Sequence, residues 1–300
     1  YNVKLSACDN LVCSFVFCWE ISRLVWPRLA MRVVAGTRVK PPLPPRGCTY
    51  ALNHAGHVRL HEVKPATPAR AVLLVLHGGG MAGGSPTDAL FRNIMHDLGS
   101  ECVLVAPEYR LSTAGHQFPV GIEDCMVALR HVCATSATRV IVVGYSAGAY
   151  LAMALALRAR DEGLRLHRVV MLAPNTHIDE DGSRATRPHG ARFGRANTLT
   201  SSMMRSLWRD MWVAPEDRIW HGDAKRSHDL RVASYTGLPP SDIIVAEVDC
   251  TRAEAEQLHG RLRAAGCQSQ LHCVRASHAM LPRAARRLIA QTLRDYALIE

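Results

Sequence analysis

Metal-binding and disulfide patterns are missing from this chain of 300 residues, although it contains 10 cysteines. No two cysteines form a CxxC pair, and none stands at the Cys/His spacing of a zinc site. Cys102, Cys125 and Cys133 lie in apolar stretches, where cysteine commonly serves as a small buried hydrophobe. A chain of this length does not need disulfides for stability. We therefore expect no metal, no disulfide framework and a reducing, cytoplasmic compartment.

The sequence also lacks an apolar run long enough to cross a bilayer, which takes about 20 residues. The nearest candidate, Leu11–Trp19, is ended by Glu20 and has neither the basic flank nor the cleavage site of a signal peptide. We interpret it as an amphipathic helix packed on the protein, with association to a membrane surface as the alternative.

Nucleic-acid-binding motifs are absent as well, although the formal charge is +10. The basic residues are scattered, apart from a concentration at Arg184, Arg187, Arg192 and Arg195. This concentration indicates either a solvated loop or a surface that attracts anionic substrates or lipids. We expect no nucleic-acid partner.

Short apolar runs and helical patterns alternate after a proline-rich connector at 41–45. The runs are continuously apolar, which is typical of parallel strands buried on both faces. The order of strand and then helix predicts an α/β fold with a mostly parallel sheet flanked by helices. The predicted strands are Ala71–His77, Cys102–Pro107, Val140–Gly144, Val169–Ala173, Ile243–Val248 and Leu271–Val274. The predicted helices are Asp88–Leu98, Ile122–Cys133, Ala147–Arg160, Arg252–Ala265 and Pro282–Tyr296.

The alternation stops at about 175–234, a polar and charged interval that contains Trp208, Trp212 and Trp220. Such an interval is too long for a plain loop in a compact domain, so it predicts an inserted helical cap. We therefore divide the chain into an N-terminal cap segment with its linker at 1–45 and a catalytic domain at 46–300.

The strongest chemical signal is the GYSAG motif at 144–148. It directly follows a predicted strand and precedes a helix, which is the arrangement of a nucleophile elbow. The elbow is sharp, so small neighbours such as Gly144 and Gly148 are required. These features make Ser146 the candidate nucleophile.

A second signal, HGGG at 77–80, lies at the end of the first predicted strand. The backbone N–H groups of Gly78, Gly79 and Gly80, together with that of Ala147, are candidates for an oxyanion hole. Among the glycines we favour Gly79 and Gly80 as donors. No GxxxxGK[ST] pattern follows, which weakens a phosphate-binding interpretation. His77 itself is interpreted as a structural residue.

An acid and a histidine are expected downstream of the nucleophile, in that order. Asp249 directly follows the fifth predicted strand, and His278 follows the sixth. The carboxyl ends of parallel strands form the usual ligand site of an open sheet. His278 would act as the base and Asp249 would orient it. The nearest rivals are Asp242 for the acid and His272 for the base.

Further motifs stand in order along the chain, namely EYRL at 108–111, FPVGIEDC at 118–125, GLPP at 237–240, EVDCTRAEAE at 247–256 and SHAM at 277–280. With HGGG and GYSAG, they resemble the hormone-sensitive-lipase-like esterases, the α/β-hydrolase-3 group that includes arylacetamide deacetylase relatives. The resemblance covers about 71–290. It implies an α/β-hydrolase fold with a helical cap, and a carboxylesterase for short or medium acyl esters.

The chain departs from that pattern at several positions. Tyr145 stands where the family usually has aspartate, and Ala149 and Tyr150 replace its usual Gly-Asn. The run after Asp249 also differs from the usual Pro-Leu-Arg-Asp-Glu. Each candidate catalytic residue is nevertheless present.

Taken together, these patterns predict hydrolysis of a small-molecule ester through an acyl-Ser146 intermediate, without a metal or organic cofactor. An amidase, deacetylase or arylformamidase would use the same residues. An alternative of another class is a non-catalytic small-molecule receptor on the same fold. Receptors related to the family have lost the triad histidine, whereas His278 is retained here.

Overall fold

The computed structural model describes residues 41–112, 119–136, 139–176 and 234–297. The predicted N-terminal cap segment, with the apolar run Leu11–Trp19, lies almost entirely outside these ranges. So does the predicted insertion at about 175–234, with its tryptophans and its arginine concentration. These interpretations stay predictions.

Within the described ranges, eight strands form a single sheet in the order β1-β2-β4-β3-β5-β6-β7-β8. Strand β2 is antiparallel to both of its neighbours, and all other pairings are parallel. The predicted mostly parallel α/β sheet is therefore confirmed. The strands are β1 Cys48–Ala55, β2 Val58–Pro65, β3 Ala71–Leu76, β4 Cys102–Pro107, β5 Arg139–Tyr145, β6 Arg168–Leu172, β7 Ser241–Val248 and β8 Ser269–Ser277.

Helices cover both faces of the sheet, because the central strands are buried on both sides. One face packs against α2, α3 and α4, and the other against α1, α5 and α6. A 3₁₀ turn, His278–Met280, links β8 to α5. The helices are α1 Ala89–Leu98, α2 Val120–Thr135, α3 Ala147–Asp161, α4 Arg252–Ala264, α5 Leu281–Ala284 and α6 Arg286–Ala297.

The structure adds one element to the sequence-based expectations and corrects two of them. The β1–β2 hairpin was not predicted, because its strands carry polar residues such as His61 and Glu62 instead of a continuous apolar run. Strand β8 is longer than predicted and alternates in burial, since it forms an edge of the sheet. The predicted helix Pro282–Tyr296 is wrong as one element: the chain leaves helical geometry at Ala285, and the segments on either side both pack against α1.

Among the described helices, none combines the length and the apolar character needed to span a bilayer. The cysteines within the described ranges are free thiols.

Candidate active site

Ser146 occupies a strained turn between β5 and α3. Its backbone has φ 53° and ψ −116°, a conformation that residues with a side chain rarely adopt. Gly148 allows the first turn of α3 to approach the end of β3, because a Cβ there would lie 2.1 Å from the Leu76 carbonyl oxygen. The turn therefore presents the Ser146 side chain at the carboxyl edge of the sheet.

The structure brings the three predicted triad residues together. Ser146 Oγ lies 3.0 Å from His278 Nε2, and His278 Nδ1 lies 2.8 Å from Asp249 Oδ2. Their exposed fractions are 9%, 6% and 0%, so little water competes for these hydrogen bonds. In the tautomer that satisfies both contacts, Nδ1–H donates to the carboxylate and Nε2 accepts a hydrogen bond from the serine hydroxyl.

The other carboxylate oxygen of Asp249 is also occupied. Oδ1 accepts the backbone N–H of Thr251 at 2.9 Å and its hydroxyl at 3.0 Å. These bonds to the charged form hold the carboxylate in one orientation toward His278. Sequence reasoning missed Thr251, although an aspartate that bonds the backbone two residues later is a local turn motif.

Residues 78–80, here called the glycine turn, follow β3 and His77. Their backbone has the shape expected where main-chain N–H groups donate hydrogen bonds to a ligand. Gly79 has φ +113° and Gly80 has φ +62°. A Cβ on Gly79 would lie only 2.4 Å from the Gly83 carbonyl oxygen, so no other residue fits there. Ala147 begins α3, where a backbone N–H has no acceptor within the helix.

His77 is buried under the glycine turn. Its ring stacks on Tyr109 at 4.2 Å between centroids, and its Nδ1–H donates to the Gly78 carbonyl at 2.7 Å. The Tyr109 hydroxyl donates to the His77 carbonyl at 2.9 Å. Burial lowers the pKa of His77 to about 4, so the ring is neutral at pH 7. These contacts agree with the structural role predicted for this histidine.

Asp88 also interacts with the glycine turn. It is the N-cap of α1, where its carboxylate accepts the Phe91 N–H at 3.1 Å. The same carboxyl group interacts with the backbone N–H groups of Leu90 and Gly78. Desolvation raises the pKa of Asp88 to about 6, despite these bonds. Sequence reasoning placed Asp88 only at a helix start, because nothing local connects it to Gly78.

Asp242 and His272, the alternative candidates for the acid and the base, lie toward the amino ends of their strands. Asp242 is at the start of β7 and forms a buried ion pair with Arg168, at the start of β6. His272 Nε2 approaches Asp242 Oδ1 at 3.7 Å. The structure therefore keeps both rivals away from Ser146. Within the described ranges, no group of three His, Cys, Asp or Glu side chains is arranged to hold a metal ion.

Comparisons with known proteins agree with this fold. An α/β-hydrolase-3 family model, described as alpha/beta hydrolase fold, matches residues 73–281. Carboxylesterase NlhH of Mycobacterium tuberculosis is 37% identical over 210 residues, which are 67% of this chain and 63% of that protein. A segment of the FAD-linked oxidoreductase pytB of Aspergillus terreus is 33% identical over 168 residues, which are 53% of this chain and 20% of that protein. The chain thus spans less than two thirds of the length of either relative.

Solved structures show the same architecture. A hormone-sensitive lipase from a metagenome library superposes with a TM-score of 0.73 at 22% identity, covering 98% of this chain and 100% of that one. The family match extends over more than half of the chain, and the sheet order and strand directions agree with it. The chain belongs to the α/β-hydrolase-3 family, which has the alpha/beta hydrolase fold.

Proposed function

We propose that this protein is a serine hydrolase that cleaves carboxylic esters of short to medium acyl chain length through an acyl-Ser146 intermediate. The observation that carries the proposal is the continuous hydrogen-bonded chain from Ser146 Oγ through His278 to Asp249. It stands beside a glycine turn and a helix N-terminus, which are both sources of unpaired amide donors. The name carboxylesterase, borne by the relative NlhH, supports the same reaction class.

Acylation begins when His278 Nε2 takes the Ser146 proton as Oγ attacks the ester carbonyl carbon. The electron pair of the C=O bond moves onto oxygen and forms a tetrahedral oxyanion. Asp249 stabilises the imidazolium that forms. The intermediate collapses as the C–O bond to the alcohol breaks, and the imidazolium gives its proton to the departing alcohol.

Deacylation repeats these steps with water as the nucleophile. His278 takes a proton from water, whose oxygen attacks the acyl carbon, and returns a proton to Ser146 Oγ as the acid departs. No metal or organic cofactor takes part in the proposed sequence of steps.

The oxyanion donors in this proposal are the N–H groups of Gly79, Gly80 and Ala147. The Gly78 backbone interacts with the Asp88 carboxyl group, so we assign Gly78 to shaping the turn instead of donating to substrate. A tetrahedral oxyanion is stabilised by N–H donors from a loop and from the residue after the nucleophile. The two donors in the turn and the one at the helix N-terminus would supply both kinds.

A Ser146→Ala variant tests the proposal with p-nitrophenyl esters of increasing acyl length. We expect kcat to fall by at least about 10⁴-fold, because the nucleophile is lost. Fluorophosphonate labelling, which requires an activated serine, should also disappear. A Ser269→Ala variant is the matched control, since that hydroxyl bonds His259 at the start of β8. Hydrolysis by Ser146→Ala at the parent rate would refute the proposal.

Substrate panels separate the remaining alternatives. A higher kcat/KM on p-nitroacetanilide than on p-nitrophenyl acetate would reassign the chain to amide hydrolysis on the same residues. If the parent chain shows neither turnover nor fluorophosphonate labelling, the result would support the alternative of a non-catalytic small-molecule receptor.

A further inference from the structure

Tyr145 connects the three parts of the candidate site. It is the last residue of β5 and directly precedes Ser146, at the position where the family usually carries aspartate. Its side chain is not part of the proton transfers described above. Its contacts nevertheless reach both the base and the glycine turn.

The first contact is with the backbone of the base. The Tyr145 hydroxyl donates to the His278 carbonyl oxygen at 2.8 Å. The same oxygen accepts the Leu281 N–H, so both of its lone-pair sites are in use. The Tyr145 and His278 rings lie 5.5 Å apart, tilted by 34°. The backbone that carries the imidazole is therefore tied directly to the strand that carries the nucleophile.

The second contact is with the glycine turn. A Cβ on Gly78 would lie 2.9 Å from Tyr145 Cδ1 and 3.0 Å from its carbonyl oxygen. The ring therefore packs against Gly78 so closely that it excludes a side chain there. One residue thus contacts His278 with its hydroxyl and Gly78 with its ring.

The chemistry of the side chain suits this role. Burial raises the pKa of Tyr145, so the phenol stays protonated and remains a donor at neutral pH. An ionised aspartate has only acceptors and is shorter, so it could not donate to the His278 carbonyl.

We propose that Tyr145 is a positioning residue that fixes His278 relative to Ser146 and the glycine turn. This inference rests on the proposed function, because its consequence is the rate of proton transfer between Ser146 and His278. Small displacements of a base from its nucleophile reduce the rate of the chemical step more than they reduce substrate binding.

A Tyr145→Phe variant removes the hydroxyl and keeps the ring against Gly78. We expect kcat for p-nitrophenyl acetate to fall about 10-fold while KM stays within about twofold, because one positioning hydrogen bond is lost. Tyr296→Phe is the matched control: it also loses a phenol hydroxyl, whose partner is Gln270 near the other end of β8. The control should keep the parent kcat, and both variants should melt near the parent temperature.

The same change in a His278→Ala background separates positioning from a general effect on the fold. If Tyr145 acts through His278, Tyr145→Phe should cause no further loss of the residual hydrolysis in that background. A parental kcat for Tyr145→Phe, a change confined to KM, a loss that persists without His278, or a loss that follows unfolding would each overturn the inference. The Ser146→Ala variant is measured in the same assay. If it loses activity while one of these outcomes is seen for Tyr145→Phe, the proposed function stands and only the inference about Tyr145 is overturned.

Discussion

The two halves of the site, the triad side and the glycine-turn side, are built in different ways. On the triad side the working groups are side chains, and each projects from the carboxyl end of a strand. On the glycine-turn side the proposed working groups are backbone N–H donors, and side chains serve to hold the backbone. In the proposed site, function thus depends on residue identity on one side and on backbone shape on the other.

The supports of the two halves also differ in their distance along the chain. Asp249 is held by Thr251, only two residues away. His77 and its glycine turn are held by Tyr109, 32 residues away, and by Asp88 at the start of α1. On the triad side the acid therefore relies on a local turn, while His278 is also bonded to Tyr145 across 133 residues. The glycine-turn side relies on tertiary packing throughout.

A Gly79→Ala substitution is the most direct way to break the glycine-turn side. The added Cβ would clash with the Gly83 carbonyl oxygen, and alanine disfavours φ +113°. We expect the amide donors to turn away and kcat to fall about 10²- to 10³-fold, the effect of losing an oxyanion donor. Steady-state kinetics on p-nitrophenyl esters measure this loss.

Gly163→Ala is the matched control for that prediction. Gly163 also has a positive φ, +70°, but nothing lies within 4 Å of its missing Cβ. It should cost about 1 kcal/mol of stability and leave kcat unchanged. Equal losses of kcat in the two variants would mean that backbone strain, and not the donor site, controls activity.

The same contrast explains what could be predicted from the sequence. The central strands are continuously apolar, so their positions and the parallel sheet were predictable, and Asp249 and His278 could be chosen because they follow strand ends. Ser146 and the glycine turn were found because both require glycine neighbours. Each of these signals lies within a few residues of the feature that it marks.

Apart from Thr251, which belongs to a local turn motif, the features that were missed have no such local signal. The β1–β2 hairpin has polar side chains whose contacts, such as Tyr50 to His61 and Asn53 to Glu62, exist only after pairing. Asp88 and Tyr109 gain their roles only when the fold brings them to the glycine turn. The break at Ala285 also has no sequence signal, because alanine does not interrupt a helix by itself.

Lowering the pH tests the stability of the glycine-turn side separately, because this side contains the buried, neutral His77. His77 has its pKa lowered from 6.5 to about 4, so its contribution to stability is fully present above pH 6.5 and is lost as the pH falls through 4. We expect this residue to account for about 3 kcal/mol of lost unfolding free energy between pH 7 and pH 4. Urea unfolding at both pH values measures it.

His77→Asn serves as the reference variant, because it removes the titration and retains a donor for the Gly78 carbonyl. Asp88 acts in the opposite sense: its raised pKa gives a contribution that is present below pH 3.8 and is lost as the pH rises through about 6. Since Asp88 is common to both proteins, subtracting the two pH profiles isolates His77. Parallel profiles would contradict the prediction.

The smallest expected effect comes from removing one hydroxyl on each side, by Thr251→Val and Tyr109→Phe. Thr251 donates to the charged Asp249 carboxylate at 3.0 Å, whereas Tyr109 donates to the neutral His77 carbonyl at 2.9 Å. Thr251→Val removes one side-chain hydrogen bond, worth about 1 kcal/mol. Tyr109→Phe removes the bond to the His77 carbonyl and also the 3.1 Å contact with His77 Nδ1. In the proposed mechanism the Asp249 charge stabilises the imidazolium during turnover, so Thr251→Val should lower kcat about fivefold, whereas Tyr109→Phe should mainly lower the unfolding free energy. Kinetics and urea unfolding on both variants separate these effects, and a larger loss of kcat in Tyr109→Phe would mean that distant packing, not the local turn, sets the rate.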